Sequence, residues 1–206
     1  MEKETVIKAL VELRKSEKKK FAQSVDILVN LKNFDIKREN VNLFVPLPHK
    51  FKEIKAAAFL TAKSKVIDSI TKVEFDKYKG KVAKKLAKEY DFFIANAALM
   101  PAVATTFGRY LGSMGKMPSP QLGIITKEDE ATIHDVIAKA EKMIRVKTKE
   151  PSIKLCIGKE SMKDEEIAEN ILTTYNAILN ALPKKKENLK SVLIKFTMSK
   201  PVKLEI

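Results

Sequence analysis

Phe21-Ala-Gln-Ser-Val-Asp-Ile-Leu-Val-Asn-Leu31 alternates with a period of two. That spacing sends successive side chains to opposite faces of a β-strand. Phe21, Gln23, Val25, Ile27 and Val29 share one face; Ala22, Ser24, Asp26 and Leu28 share the other. The same texture returns only near the far end of the chain. There Val192, Ile194, Phe196 and Met198 alternate with Leu193, Lys195 and Thr197 across one long strand, 189–203.

Working outward from these two stretches, residues 2–19 predict an amphipathic helix. Val6, Leu10, Leu13 and Glu17 follow helical spacing, and Lys18-Lys19-Lys20 ends it in a basic run. Residues 41–47 predict a strand closed by Pro46 and Pro48. Residues 152–157 predict another. A helix then runs from Ser161 to about Leu182, with Asp164, Glu165 and Glu166 in its first turn, where the helix dipole favours acids. Ile167, Ile171, Leu172, Tyr175, Ile178, Leu179 and Leu182 form its apolar face. Neither terminal segment can close a core alone. Residues 1–54 and 149–206 therefore predict one split α+β domain, a four-stranded antiparallel sheet backed by two helices.

The middle, 55–148, has a different texture. Strands are expected at 54–60, 72–75, 91–97, 124–126 and 143–146. Helices are expected at 64–70, 76–89, 99–105 and 128–140, with Pro101 able to start the third. Such alternation predicts an inserted three-layer α/β (Rossmann-like) domain with a mostly parallel sheet. The two chain crossings near 54 and 149 would form a hinge. Leu111-Gly-Ser-Met-Gly-Lys-Met-Pro-Ser-Pro120 opens on glycines and closes on prolines. Its backbone preferences predict a stiff, exposed loop, a candidate contact surface or joint.

Forty Lys and Arg against 26 Asp and Glu give a net charge of +14 over 206 residues. Such an excess points to a polyanionic partner, RNA or DNA. The excess divides evenly, +7 to the split domain and +7 to the insertion, on the boundaries above. Apolar content of 45 % with 32 % charged residues suits a globular chain. No apolar run has the ~20 residues of a membrane span, and Met1-Glu-Lys-Glu-Thr-Val6 has no signal-peptide core. The single cysteine, Cys156, rules out an internal disulfide and suits a reducing cytosol. Its neighbours Leu155 and Ile157 predict a buried structural thiol.

Catalysis is not indicated. His49 and His134 are far apart and lack metal-ligand spacing. His49 reads as a loop residue and His134 as a helix-surface one. Gly112-Ser-Met-Gly115-Lys116 departs from a phosphate loop: tyrosine stands at 110 and methionine at 117. The same glycines match the GXXG of KH domains, but Pro118 and Pro120 oppose the helix that must follow. No metal and no cofactor are expected. RNA contact is plausible at one sheet edge. Lys18–Lys20 stand beside Phe21, and Thr197-Met-Ser-Lys-Pro201 puts hydroxyls, a thioether and a base where the last strand must bend.

Taken together these residues resemble the universal large-subunit ribosomal protein L-one family, in its archaeal and eukaryotic branch. The most specific marker is Leu111-Gly-Ser-Met-Gly-Lys-Met-Pro-Ser-Pro120. Lys20-Phe21-Ala-Gln-Ser24, Pro46-Leu-Pro-His49, Asp91-Phe-Phe-Ile-Ala95, Leu99-Met-Pro101, Ile157-Gly-Lys-Glu-Ser-Met162 and Thr197-Met-Ser-Lys-Pro201 support it.

The resemblance implies a non-enzymatic structural protein of the large subunit. Its implied partners are large-subunit rRNA, E-site tRNA and its own mRNA, with no membrane and a monomeric free form. It would sit in the cytoplasm on the ribosome, form the mobile stalk near the E site, assist release of deacylated tRNA and repress its own translation. The implied rRNA- and mRNA-binding residues are Phe21, Ser24, Ser191, Thr197 and Met198, with Lys20, Lys159, Ser199 and Lys200 added beside them. The family's usual glycine after Met198 is Ser199 here. A second implied contact, to the facing domain or to tRNA, involves Arg109, Gly112, Gly115, Lys116 and Pro118. Ser113-Met114 replaces the family's Pro-Arg between the two glycines, and Arg109 partly stands in for that arginine. Two other readings are a ribosome-assembly factor of the same fold and a small α/β enzyme with a nucleotide site in the insertion.

Overall fold

The computed structural model describes residues 3–15, 19–35, 39, 41–64, 66–78, 80–148 and 150–204. Glu17 and Lys18 of the expected first helix and basic run lie outside the described residues, as does residue 149 at the expected second crossing. In chain order the elements begin with α1 (Lys3–Arg14), β1 (Ser24–Leu31), β2 (Asn42–Pro46), β3 (Ala56–Leu60), β4 (Asp68–Thr71), α2 (Lys81–Glu89) and β5 (Phe92–Asn96). There follow α3 (Met100–Met114), β6 (Ile124–Ile125), α4 (Glu130–Glu141), β7 (Met143–Lys147), β8 (Ser152–Lys159), α5 (Asp164–Ala181), β9 (Leu189–Phe196) and β10 (Val202–Leu204). They fall into two compact units, Met1–Lys52 with Lys142–Ile206, and Glu53–Glu141.

In the first unit an antiparallel sheet has the order β10-β9-β1-β8. β1 is central because both of its edges find partners from the far end of the chain, Ile27 opposite Leu155 on one side and Ile194 on the other. Its alternation is realised: Val25, Ile27 and Val29 are wholly buried, while Ser24, Asp26, Leu28 and Asn30 lie on the more open face. The buried face packs with Val6, Leu10 and Leu13 of α1 and Ile167, Ile171 and Ile178 of α5 in one core. Each such side chain contributes about 1.5–3 kcal/mol of burial. Arg14 closes α1 onto the start of α5 by donating to the Asp164 carboxylate at 2.7 Å and to the Met162 carbonyl at 3.0 Å.

The sheet has the expected four strands but not the expected membership. The stretch 189–203 is two strands, β9 and β10, folded back at residues 197–201 into a hairpin. Pro201 has no N–H to continue a ladder, and the Ser199 hydroxyl accepts the Phe196 N–H at 2.8 Å, closing the turn. β2 is outside this sheet and pairs antiparallel with β7, which was expected in the insertion. Lys142, Arg145 and Lys147 thereby join the first unit. It carries +11 and the second unit +3, so the even division of charge does not hold. The sequence boundaries 54/55 and 148/149 become 52/53 and 141/142.

The second unit contains a wholly parallel sheet of order β4-β3-β5-β6. Ala57, Phe59, Phe93 and Ala95 face α2 and α3, with Phe75 and Phe107. Ala58, Leu60 and Ile94 face Ile133 of α4. Phe59 stacks on Phe93 with ring centroids 5.7 Å apart and meets Phe107 at 5.0 Å.

Two local expectations here fail. Residues 68–71 form β4 rather than a helix, since Ile70 gains a place in the parallel ladder beside Phe59. Residues 72–78 coil into a 3-10 turn rather than a strand. Thr71 starts that turn by donating its N–H and its hydroxyl to Glu74 at 3.2 Å each, the back-bonding half of a capping box.

Candidate nucleic-acid interface

One end of the antiparallel sheet gathers residues from four chain segments. Ser24 opens β1 opposite Lys159, the last residue of β8. Next to Ser24 the β9–β10 turn begins. The Ser24 N–H donates to Thr197 Oγ1 at 3.0 Å, and the Thr197 N–H donates to the Ser24 carbonyl at 3.2 Å. The two hydroxyl oxygens are 3.0 Å apart. Met198 follows, its N–H donated to Gln23 Oε1 at 3.1 Å.

Gln23 shares a face with Val25, Ile27 and Val29, and it is only 2 % exposed. A buried amide must find partners. Besides Met198, its backbone N–H donates to the Glu160 carboxylate at 3.2 Å, and its carbonyl accepts the Glu160 N–H at 2.8 Å. Gln23 therefore ties the ends of β1 and β8 to the turn. Residue-type reasoning about RNA contacts passed over it. Its polarity within the run Gln23, Val25, Ile27, Val29 was the available signal.

This scaffolding leaves two large apolar side chains in the open, Phe21 at 52 % and Met198 at 65 % exposure. The period of two puts Phe21 on the same face as Val25, Ile27 and Val29. The strand starts only at Ser24, so the alternation does not extend back to it. Lys20, Lys159 and Lys200 are exposed at the same end. Gln23, Met198, Ser199 and Lys200 line an open groove of about 360 Å3 together with Glu12 and Lys19. Ser199 turns its hydroxyl inward, where it donates to the Lys200 carbonyl at 3.1 Å. A surface joining cations, an exposed ring, a thioether and hydroxyls suits RNA chemistry. Cations hold phosphates, apolar faces stack on bases, and hydroxyls reach 2′-OH groups.

Ser191 is not part of this cluster. It pairs with Asn30 at the other end of β1, roughly 20 Å from Ser24 at strand rise. There Asn30 Nδ2 donates to Ser191 Oγ at 3.0 Å, and Ser152 donates to Asn30 Oδ1 at 3.0 Å. Cys156 lies on the open face opposite Asp26 and is half-buried rather than buried. Burial, then the Asp26 charge, pushes its thiol pKa up.

The insertion's glycine-proline segment is not an exposed loop. α3 runs through Gly112 to Met114, and Gly115 caps it in the left-handed conformation at φ 70°. Lys116 turns inward and donates to the carbonyls of Ala87 at 3.0 Å and Tyr90 at 2.8 Å, the last turn of α2. Pro118 and Leu111 are buried. Lys116 therefore ties the end of α3 to the end of α2, while Arg109, Gly112 and Gly115 remain exposed. Helix continuation wins because Leu111 completes the apolar face of Val103 and Phe107.

The insertion's own ligand position is filled by a side chain. In open parallel sheets ligands bind beyond the strand C-termini where the strand order reverses, here between β3 and β5. Glu128 occupies that point. Its carboxylate accepts the Thr61 N–H at 2.8 Å, the Thr61 hydroxyl at 2.6 Å and Asn96 Nδ2 at 2.6 Å. Burial works to raise its pKa, but these donors outweigh burial and hold it below the usual carboxylate value. His49 is tied to α5, with Nε2 2.8 Å from Glu169 and its N–H donated to Asn170 Oδ1 at 3.1 Å. His134 is exposed on α4. Among the described residues no group of three His, Cys, Asp or Glu side chains could hold a metal ion, and no helix is long and apolar enough to cross a membrane.

Comparison with known proteins gives a direct answer about ancestry. The profile of the Ribosomal protein L1p/L10e family matches residues 13–200. The chain is 36 % identical to the large ribosomal subunit protein uL1 of Pyrococcus abyssi, covering 99 % of this chain and 97 % of that protein. It is 37 % identical to uL1 of Methanothermococcus thermolithotrophicus over the whole of both chains. Identity to uL1 of Pyrobaculum calidifontis is also 37 %, over 100 % of this chain and 95 % of the other. The chain belongs to the ribosomal protein L1p/L10e family.

Proposed function

We propose that this protein is a structural component of the large ribosomal subunit that binds large-subunit rRNA through the Ser24–Thr197–Met198 end of its antiparallel sheet. The family is one of ribosomal proteins, not of enzymes. The observation that carries the RNA reading is the joint exposure of Phe21 and Met198 at the sheet end that also carries Lys20, Lys159 and Lys200, where the buried Gln23 accepts the Met198 N–H. A surface facing only water gains nothing from an exposed ring and thioether together at one sheet end. An RNA partner gains preorganised stacking and packing contacts.

In this reading the lysines supply salt-dependent affinity to phosphates, and the hydroxyls and turn backbone read a fixed RNA shape. The finer assignments rest on the family resemblance. They are membership of the mobile stalk in the cytoplasmic ribosome, assistance to departing deacylated E-site tRNA, and repression of its own mRNA through the same platform. The assembly-factor reading has no observation in its favour. Glu128 stands against a nucleotide enzyme, because it fills the position a phosphate would need.

The test is binding of a large-subunit rRNA stalk fragment at fixed salt. Thr197→Ala with Met198→Ala weakens it by about 2 kcal/mol, from lost hydrogen bonds and packing, or roughly 30-fold. Unchanged affinity removes this site. Sedimentation of cell extract, with the protein travelling in the large-subunit fraction, tests the ribosomal assignment independently.

A further inference from the structure

Helix α2, Lys81-Val-Ala-Lys-Lys-Leu-Ala-Lys-Glu89, buries Ala83, Leu86 and Ala87 in the insertion core. Lys81, Lys84, Lys85 and Lys88 are all exposed. Their spacing of i, i+3, i+4 and i+7 makes one continuous stripe along the opposite side. Among the described residues no carboxylate forms an ion pair with any of them.

The stripe is costly to the helix that carries it. Lys81 with Lys85 and Lys84 with Lys88 are like-charge pairs one turn apart, which destabilise a helix. The first turn holds no acid, so Lys81 faces the positive end of the dipole uncompensated. α2 differs from α1, which carries Glu4, Lys8, Glu12 and Arg14, and from α4, which carries Glu130, Asp135, Lys139 and Glu141. α5 also has a single-signed first turn, Asp164, Glu165 and Glu166, but there the dipole favours the charge. In α2 the dipole opposes the first lysine, and the one acid, Glu89, comes last. Residues 72–88 contain seven of the second unit's 14 basic residues and only two acids. Local repulsion of this kind is relieved by a polyanion.

The chemistry of the stripe selects among polyanions. From Lys81 to Lys88 the helix rises ~10 Å, a length over which one nucleic-acid strand offers about three phosphates. Lysine ammoniums are point charges without the fork that reads base edges, and between them stand only Val82, Ala83, Leu86 and Ala87. Nothing there recognises a base or a sequence. We propose that the α2 lysine stripe is a second, sequence-independent contact to an RNA phosphodiester backbone, separate from the sheet-end platform. The inference deepens the RNA-binding reading above and rests on it for the choice of RNA.

The experiment uses the full chain and three probes, the rRNA stalk fragment, a duplex RNA of arbitrary sequence and polyglutamate, over a salt series from about 50 to 200 mM. Replacing Lys81, Lys84, Lys85 and Lys88 by Gln is expected to flatten the plot of log affinity against log salt by roughly 2 to 3, for about three phosphates lost. The fourfold Arg variant keeps the slope. Lys84→Glu weakens duplex binding at least tenfold more than Lys139→Glu on α4, which keeps the test decisive if the fourfold variant folds poorly. Thr197→Ala with Met198→Ala should weaken the stalk fragment and leave the duplex slope alone, so failure of the platform and failure of the stripe read differently. An unchanged slope in the fourfold Gln variant with native circular dichroism overturns the proposal. So does a loss confined to a polyglutamate probe, which would assign the stripe to an acidic polypeptide.

Discussion

Ser24 and Thr197 hold each other at three points, N–H to hydroxyl at 3.0 Å, N–H to carbonyl at 3.2 Å, and hydroxyl to hydroxyl at 3.0 Å. Both sit at the sheet end, Ser24 where β1 begins and Thr197 where β9 turns back. Their side chains reach this geometry by spanning almost the whole sequence, so it exists only in the folded state. Thr197→Val keeps the side chain's shape and leaves the Ser24 N–H without its acceptor. The expected cost is about 1 kcal/mol of unfolding free energy, read from urea denaturation, with weaker rRNA-fragment binding at constant salt. A variant as stable as the parent would show that water replaces the lost acceptor.

Gln23 is the strut beneath Met198. Gln23→Leu removes the acceptor for the Met198 N–H while conserving bulk. The turn loses its anchor, and RNA affinity is expected to fall about tenfold even though Gln23 has almost no exposed surface to touch RNA. Met198→Leu, which keeps an apolar side chain on an anchored turn, is expected to lose less. Equal losses in the two variants would mean that the turn needs no strut.

Acid should loosen the insertion. Glu74 is held down from the usual 4.5 to about 2, first by its bond to Lys63 and then by the Thr71 N–H. Glu128 is lowered by its Thr61 and Asn96 donors against the opposing effect of burial. Each of these carboxylates binds protons more weakly when folded. Its stabilising contribution is complete above the unfolded value near 4.5 and is lost as pH falls toward the folded one. Thermal unfolding followed from pH 6 to pH 2 should show this decline. Glu128→Gln should lower the melting temperature at pH 6 and flatten the decline, because an amide nitrogen then confronts donors that need an acceptor. A melting profile identical to the parent's would show that Glu128 contributes nothing to stability.

Tyr175 lies on α5, 2 % exposed, with a hydroxyl that has no hydrogen-bond partner among the described residues. Burial pushes its pKa up, and the unsatisfied group costs free energy that a phenylalanine avoids. Tyr175→Phe is expected to stabilise the protein by about 1 kcal/mol in chemical denaturation and to leave RNA binding unchanged. A loss of stability would reveal a partner for the hydroxyl in solution.

Much of the fold was legible before any coordinates. The period of two across Val25, Ile27 and Val29 and the period of 3.6 across Ile167, Ile171 and Ile178 report which side of an element is apolar. That side is buried in each case. The return of the first texture after residue 150 is the reason for expecting a split domain, and the compact unit that joins the two chain ends takes in residues 142–147 as well. The proposed binding end draws on both sources. Lys20, Phe21, Ser24, Thr197 and Met198 were named from residue type and resemblance, while the buried Gln23 was not, because its role is to satisfy a backbone group supplied by Met198. Glu128 escaped for the same reason, since its donors Thr61, just past β3, and Asn96, at the end of β5, lie far from it in sequence.

The sequence by itself determined the kinds of elements, the buried face of each and the sign of the surface charge. Those depend on side-chain period and composition, which are local. Tertiary structure alone decided that β2 joins β7, that residues 189–203 fold back as a hairpin, and that Lys116 points into the molecule. Strand partners and inward-turned cations are settled by which distant backbone groups still need a hydrogen bond once the core has closed. No window of sequence contains both halves of such a pair.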